Sequence, residues 1–204
     1  MPSTPSPRPA RGRPRRASRD ILEEAAYELF LEQGYAGTTV DQIASRAGVS
    51  RGTFFNYFTA KSDVFWTQVD DAVAELPGYL AASDPSLPPL RAIGEALADV
   101  AGHFGPDRVP WILNQYEVVG SAEEVQASAI RRLTRNELVL RHFTAARLGT
   151  DADALLPRVI ATTAIGAATA AVLAWAGAGP GRGALEPYLL RALAPLADGF
   201  ERSS

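Results

Sequence analysis

Residues 39–58 read TVDQIASRAGVSRGTFFNYF. This stretch predicts two short helices joined by a tight turn. Thr39 can cap the first helix, and Gln42, three residues on, has the capping-box spacing at which side chains and backbone satisfy each other's orphan groups. Val40, Ile43, Ala44 and Ala47 then fall on one face at helical period. Gly48 suits the positive φ that ends such a helix, and Ser50 is a good cap for a second one. Phe54 and Phe58, four residues apart, turn one face of the second helix inward and leave Arg51, Gly52, Thr53, Phe55 and Asn56 largely on other faces. This is the helix-turn-helix pattern, in which the second helix enters the DNA major groove by its N-terminal residues.

Working outward, residues 18–33 predict a helix capped by Ser18, with Ile21, Leu22, Ala25, Ala26, Leu29 and Phe30 as its apolar stripe and Gly34 as its stop. Residues 1–17, MPSTPSPRPARGRPRRA, are proline-rich, contain no acid and predict an extended basic arm. Within the arm, Arg11-Gly12-Arg13-Pro14, followed by Arg15 and Arg16, resembles the AT-hook. Arginines around a glycine can lie in a narrow, electronegative A·T minor groove; the bland alternative is a solubilising tail. Downstream, a helix starts near Lys61 or Ser62 and is kinked or ended by Pro77-Gly78. Residues 83–89 hold three prolines and read as a loop, with a break between subdomains. Helices follow over 90–104, 108–119, 121–148, 151–176 and 185–200. Nine helices, no sustained β alternation and no internal repeat predict an all-α fold.

The chain has 204 residues, 47% of them apolar, enough for a sizeable core. Cysteine is absent, which excludes disulfides, thiol catalysis and thiolate metal sites and is compatible with the cytoplasm. The net charge of −3 hides an asymmetry: residues 1–61 hold nine Arg or Lys against six Asp or Glu, and residues 62–204 hold eleven against seventeen. A basic N-terminal module on an acidic body suits a nucleic-acid binder. Two histidines, His103 and His142, form no catalytic or metal-ligating constellation, and Gly179-Pro180-Gly181 lacks the preceding strand of a dinucleotide site. No enzyme activity, cofactor or metal is expected.

The gap-free run 21–65, ILEEAAYELFLEQGYAGTTVDQIASRAGVSRGTFFNYFTAKSDVF, resembles the TetR family of bacterial transcriptional repressors. The resemblance implies a nine-helix architecture with an arm at 1–17, a helix-turn-helix DNA-binding domain at 18–64 and a ligand-binding and dimerisation domain at 65–204. It assigns roles at the DNA. Arg51, Gly52 and Thr53 occupy the start of the recognition helix. Phe55 takes the place of an aromatic touching thymine methyls, and Asn56 can reach adenine or the backbone. Tyr57 matches a phosphate-binding aromatic, and Lys61, the only lysine of the chain, matches a phosphate clamp. Arginine reads guanine O6 and N7, and glycine lets backbone approach closely. Thr39 and Ser50 would bind phosphate at helix N-termini. Alternatively, Phe55 packs on the following helix and Asn56 is merely solvated.

Residues 159–178, VIATTAIGAATAAVLAWAGA, carry no charge over a length able to span a membrane. Their dominance by small residues, and the resemblance, instead imply burial in a homodimer formed by the last two helices, with no membrane partner. A two-fold dimer implies a palindromic operator of double-stranded DNA. A pocket for a small-molecule effector is expected in the second domain. Apolar lining would come from Leu97, Val100, Phe104, Trp111, Ile112, Leu138, Phe143 and Trp175, and polar groups from His103, Asn114, Tyr116, Glu117, Arg135, Asn136, His142 and Thr163. The segment from Arg131 resembles the TetR subset with an acyl-CoA-like ligand domain, as in regulators of the mycofactocin system, which implies Arg132 or Arg135 as a phosphate partner. A drug-like or polyketide effector, an activator role and a ligand-independent architectural DNA binder stand as alternatives.

Overall fold

The computed structural model describes residues 15–114 and 123–202, which are helical without any strand among the described residues. The chain divides between Val64 and Phe65 into two units.

In the first unit α1 spans Arg15–Gly37, α2 Val40–Arg46 and α3 Arg51–Phe55. Helix α1 starts at Arg15, three residues ahead of the expected cap Ser18. Arg15, Arg16 and Ala17 are good helix formers that follow the last proline of the segment. Gly34, at φ 76° and ψ 166°, breaks α1 at the expected place before one further turn. Leu22, Ala25, Ala26, Leu29 and Phe30 of the α1 stripe are buried, as are Ile43, Ala44, Phe54 and Phe58. The Phe54 and Phe58 rings lie 5.1 Å apart, and each buried ring contributes about 1.5–3 kcal/mol. Arg46 ties α2 to α1 through Glu28 at 3.0 Å and Glu32 at 2.7 Å; its hydrogen bond holds the Glu32 carboxyl below its ordinary pKa.

A 3-10 turn at Lys61–Trp66 leads to α4, Thr67–Val73. The rest of the second unit is α5 (Leu76–Ala82), α6 (Pro89–Ala101), α7 (Trp111–Asn114), α8 (Glu123–Leu148), α9 (Leu155–Gly177) and α10 (Glu186–Glu201). Counting α4 and α5 as one kinked helix gives nine among the described residues. The kink falls at Ala74 and Glu75, ahead of the expected Pro77-Gly78. The physical reason is proline's missing N–H. Pro77 cannot donate to Val73, so the helix breaks a turn early and Pro77 sits in the first turn of α5, where it is tolerated.

Helix α6 is the hub, packing against α5, α8, α9 and α10. It buries Leu90, Ile93, Ala96 and Val100 with Leu140, Ile160, Ala164 and Leu193. Arg91 anchors the end of α10 through Asp198 at 2.6 Å and Glu201 at 2.5 Å. The proline loop at 83–89 is not a subdomain break: it lies inside the second unit. Arg147, near the end of α8, fastens it by donating to the carbonyls of Ser83 (3.2 Å), Asp84 (3.0 Å) and Leu87 (3.2 Å) and to Ser83 Oγ (2.6 Å).

Candidate DNA interface and effector cavity

The hairpin is built by its caps. Thr39 Oγ1 accepts from the Gln42 amide at 3.2 Å, and Gln42 Oε1 accepts from the Thr39 amide at 2.8 Å, completing the capping box. Gly48 turns the chain at φ 67°. Ser50 Oγ accepts from the Thr53 amide at 3.1 Å and lies 2.9 Å from Thr53 Oγ1. With Phe54 and Phe58 facing the core, α3 presents Arg51, Gly52, Phe55 and Asn56 outward, while Thr53 and Tyr57 are half-buried. Phe55 is 46% exposed and meets only the edge of Phe54, at 5.4 Å and 86°, so it is free to touch another molecule. A Cβ added at Gly52 would meet nothing nearer than Ser50 Oγ at 3.6 Å, and its φ is not positive; the fold itself does not require glycine there.

Arg51 Nη1 donates to Asp41 Oδ2 at 2.7 Å, and its guanidinium lies 5.3 Å over the Phe55 ring. The sequence reading missed Asp41, because an acid in the first turn of a helix is already accounted for by the helix dipole. Lys61, expected to clamp a phosphate, is engaged within the protein. Its Nζ donates to the carbonyls of Tyr35 and Thr38, both at 2.7 Å, and stands 3.9 Å from the Tyr35 ring centroid. The ammonium therefore fastens the corner between α1 and α2, immediately before the cap Thr39. Buried Thr38 supports the same corner, donating to the carbonyls of Gly34 (2.8 Å) and Leu29 (3.2 Å). Arg15 begins α1, so it belongs to a helix and not to an extended arm; Arg11 and Arg13 lie outside the described residues.

The second unit encloses a cavity of about 320 Å³, at the small end of ligand sites. Its walls are Val69, Asp70 and Val73 of α4, Leu97, Val100 and Phe104 around α6, and Ile112 and Leu113 of α7. Ala129, Arg132, Leu133 and Asn136 of α8 and Ile165, Thr169, Val172 and Trp175 of α9 close it. Of the residues expected to touch ligand, Leu97, Val100, Phe104, Ile112, Asn136 and Trp175 line it. Trp111 instead stacks on Phe65 at 4.6 Å and 15°. Asn114 is exposed, its Nδ2 donating to the Val109 carbonyl at 3.4 Å. Phe143 packs on the core of α6. Arg135 and His142 are exposed away from the lining, and Tyr116 lies outside the described residues. The cause is register. Positions 129, 132, 133 and 136 of α8 share one face, which continues through Leu140 into the core, and 135 and 142 fall off it.

One charged pair interrupts these apolar walls. Arg132 Nε donates to Asp70 Oδ1 at 2.9 Å and Nη2 to Oδ2 at 2.7 Å. Nη1 reaches Ser128 Oγ and the Ser128 carbonyl, and the guanidinium stacks 5.0 Å over Trp66. The signal in the sequence that points to Asp70 is its place within the stripe Trp66, Val69, Val73, an acid where an apolar residue is expected. No group of side chains among the described residues is arranged to hold a metal ion.

The family described as bacterial regulatory proteins of the tetR family matches residues 22–65, and the MftR C-terminal domain matches residues 87–201. The chain belongs to the TetR family. It is thus a DNA-binding transcriptional regulator with an MftR-like ligand-binding domain, in a family of regulators and not of enzymes. It is 27% identical over 164 residues to the mycofactocin biosynthesis transcriptional regulator MftR of Mycobacterium tuberculosis, covering 80% of this chain and 82% of that protein. It is 32% identical over 156 residues to the transcriptional regulator TcmR of Streptomyces glaucescens, covering 74% and 69%. Among solved structures, the TetR-family repressor FadR of Thermus thermophilus, in complex with lauroyl-CoA, superposes with a TM-score of 0.58 at 24% identity, over 89% of this chain and 94% of that one. At that identity the likeness establishes the fold.

Proposed function

We propose that this TetR-family regulator is a cytoplasmic homodimeric repressor that holds a palindromic operator through α3 and releases it when a small hydrophobic effector fills the α4–α9 cavity. The observation that carries the reading is the outward face of α3: Arg51, Gly52, Phe55 and Asn56 stand exposed on a helix whose other face is anchored by buried Phe54 and Phe58. In this reading Arg51 reads a guanine and Phe55 packs on thymine methyls and sugar. Gly52 admits the DNA backbone closely, and Thr53, Asn56 and Tyr57 with the caps Thr39 and Ser50 take phosphates and flanking base edges. Arg11 and Arg13 follow the adjacent minor groove. Lys61 acts on this face by fixing the α1–α2 corner.

The second copy covers α9. By length and composition α9 passes for a membrane span. Its exposed Leu155, Leu156 and Val159, with Leu190 of α10, form an apolar surface that this chain leaves open; Leu173, also half-exposed, borders the cavity. A Cβ at Gly166 would also meet nothing, leaving room for close helix approach. A two-fold dimer calls for operator half-sites about 34–36 Å apart, or a multiple of that. The MftR-like domain, and the lauroyl-CoA bound by the similarly folded FadR, favour an acyl chain as the effector body. Helix α4 supplies both the cavity wall and the chain that continues from the DNA-binding unit, so effector and operator oppose each other by a coupling of about 1–3 kcal/mol, equal in both directions.

A mobility-shift and footprinting assay on DNA flanking the gene tests the reading. One protected palindrome, released by an acyl-CoA ligand, is the expected result. Broad protection of A·T tracts, or an operator affinity indifferent to every bound ligand, would overturn it.

A further inference from the structure

We infer that the cavity accepts only an uncharged group, and that Asp70 is the residue that keeps anions out. The inference deepens the effector reading above and rests on it. An arginine in the wall of an apolar cavity would ordinarily invite a carboxylate or phosphate, because its planar fork matches those groups. Here the invitation is already answered. Asp70 takes Nε and Nη2 of Arg132 in a bidentate pair, Ser128 takes Nη1, and Trp66 covers one face of the guanidinium. The remaining named walls are Val69, Val73, Leu97, Val100, Phe104 and their like, with Thr169, Asn136 and the indole N–H of Trp66 as the neutral polar groups. Thr169 Oγ1 already donates to the Ile165 carbonyl at 2.8 Å.

An anion entering this space gains no net charge of opposite sign. It loses its hydration and meets the Asp70 carboxylate beside Arg132, the only cation in the wall among the described residues. Burying an unpaired charge in apolar surroundings is strongly unfavourable, and displacing Asp70 would only exchange one unpaired carboxylate for another. Arg135, whose Nη2 lies 3.4 Å from Asp70 Oδ1, does not change the balance: its side chain is 62% exposed, is screened by solvent and is not part of the wall. The group that fills the cavity is therefore neutral and largely apolar, and the selectivity lies in one carboxylate. An asparagine at that position keeps the shape but leaves Arg132 uncompensated, turning the same wall into an anion receptor.

The test compares two probes of one chain length, 1-decanol and decanoate, at pH 7.5, titrated against the full-length protein by intrinsic tryptophan fluorescence and calorimetry. The expected result is at least a tenfold preference of the wild type for 1-decanol. Asp70→Asn should reverse or abolish that preference by tightening decanoate. The double variant Asp70→Asn with Arg132→Gln, whose wall is neutral again, should restore it, which answers the objection that the single variant merely loosens the fold. If the wild type binds decanoate as tightly as 1-decanol, or if both variants keep the wild-type preference, the inference fails while the cavity stands as an effector site. If neither probe binds the wild type at millimolar concentration, the effector reading itself fails, and this inference with it.

Discussion

The guanidinium of Arg132 on α8 grips the carboxylate of Asp70 on α4 with two parallel hydrogen bonds, 2.9 and 2.7 Å long. Asp70 lies four residues beyond Trp66, the end of the 3-10 turn that follows the DNA-binding unit. The pair thus ties the first helix of the effector unit to its longest helix. With side chains 13% and 32% exposed, it is partly desolvated. Arg132→Met leaves Asp70 without its bidentate partner and should lower stability by about 1–3 kcal/mol, measured as an earlier midpoint in urea. An unchanged midpoint would mean that the pair is no more than a solvated surface contact.

Gly52 separates folding from DNA recognition. Alanine fits its position without a clash and favours the helical state by about 0.5–1 kcal/mol. Gly52→Ala should therefore melt no lower than the wild type, yet bind operator at least tenfold more weakly because the added methyl stands where DNA backbone must approach. Retained operator affinity would remove Gly52 from the interface.

Lys61→Met distinguishes a corner brace from a phosphate contact. Losing charge-assisted hydrogen bonds to the Tyr35 and Thr38 carbonyls should reduce stability by about 1.5–3 kcal/mol. Operator affinity should fall with the salt slope unchanged. A lost phosphate contact would instead flatten the plot of log affinity against log salt by about one unit and leave the melting temperature alone.

Arg51→Ala should relax base preference at one position per half-site, weakening the preferred sequence by about 1–3 kcal/mol without weakening non-specific binding equally. Its ion pair with Asp41 is exposed on both sides and worth at most about 1 kcal/mol to the fold. A selection experiment on randomised half-sites reads the preference directly; an unaltered consensus would exclude Arg51 as a base reader.

Val159, exposed near the start of α9, reports on self-association. Val159→Glu places a charge in the apolar surface and should shift the protein from dimer to monomer in sedimentation at micromolar concentration. It should also lower operator affinity, since each half-site is then bound alone. A wild type that sediments as a monomer would remove the basis for this expectation.

The first unit was largely legible in the sequence because its order is local. Thr39 with Gln42, Gly48, Ser50 and the pair Phe54 and Phe58 act within a few residues of one another, and the structure has each in its expected place. The charged contacts were not legible, because side chains with several possible partners choose by distance in space. Lys61 finds carbonyls 23 and 26 residues away, and Arg132 finds Asp70 across 62 residues. The cavity was half legible for a related reason. Apolar periodicity identifies an inward face but not whether it meets a void or another side chain, so Phe104 and Trp175 line the cavity while Phe143, equally apolar, fills core.

The Arg147 latch has a mechanical consequence. A proline-rich segment such as 83–89 would ordinarily be a place for a lever to bend. Four hydrogen bonds from one guanidinium bind it to the end of α8, so α5, α6 and that end of α8 form a stiff frame. The helical joint in that stretch is Ala74 and Glu75, both exposed between α4 and α5, with the Glu75 carboxylate accepting from Tyr79 Oη at 2.8 Å and lying 3.3 Å from His103 Nε2. In the effector reading, a molecule in the cavity presses on this frame from one side and on α4, held to α8 by Arg132 and Asp70, from the other.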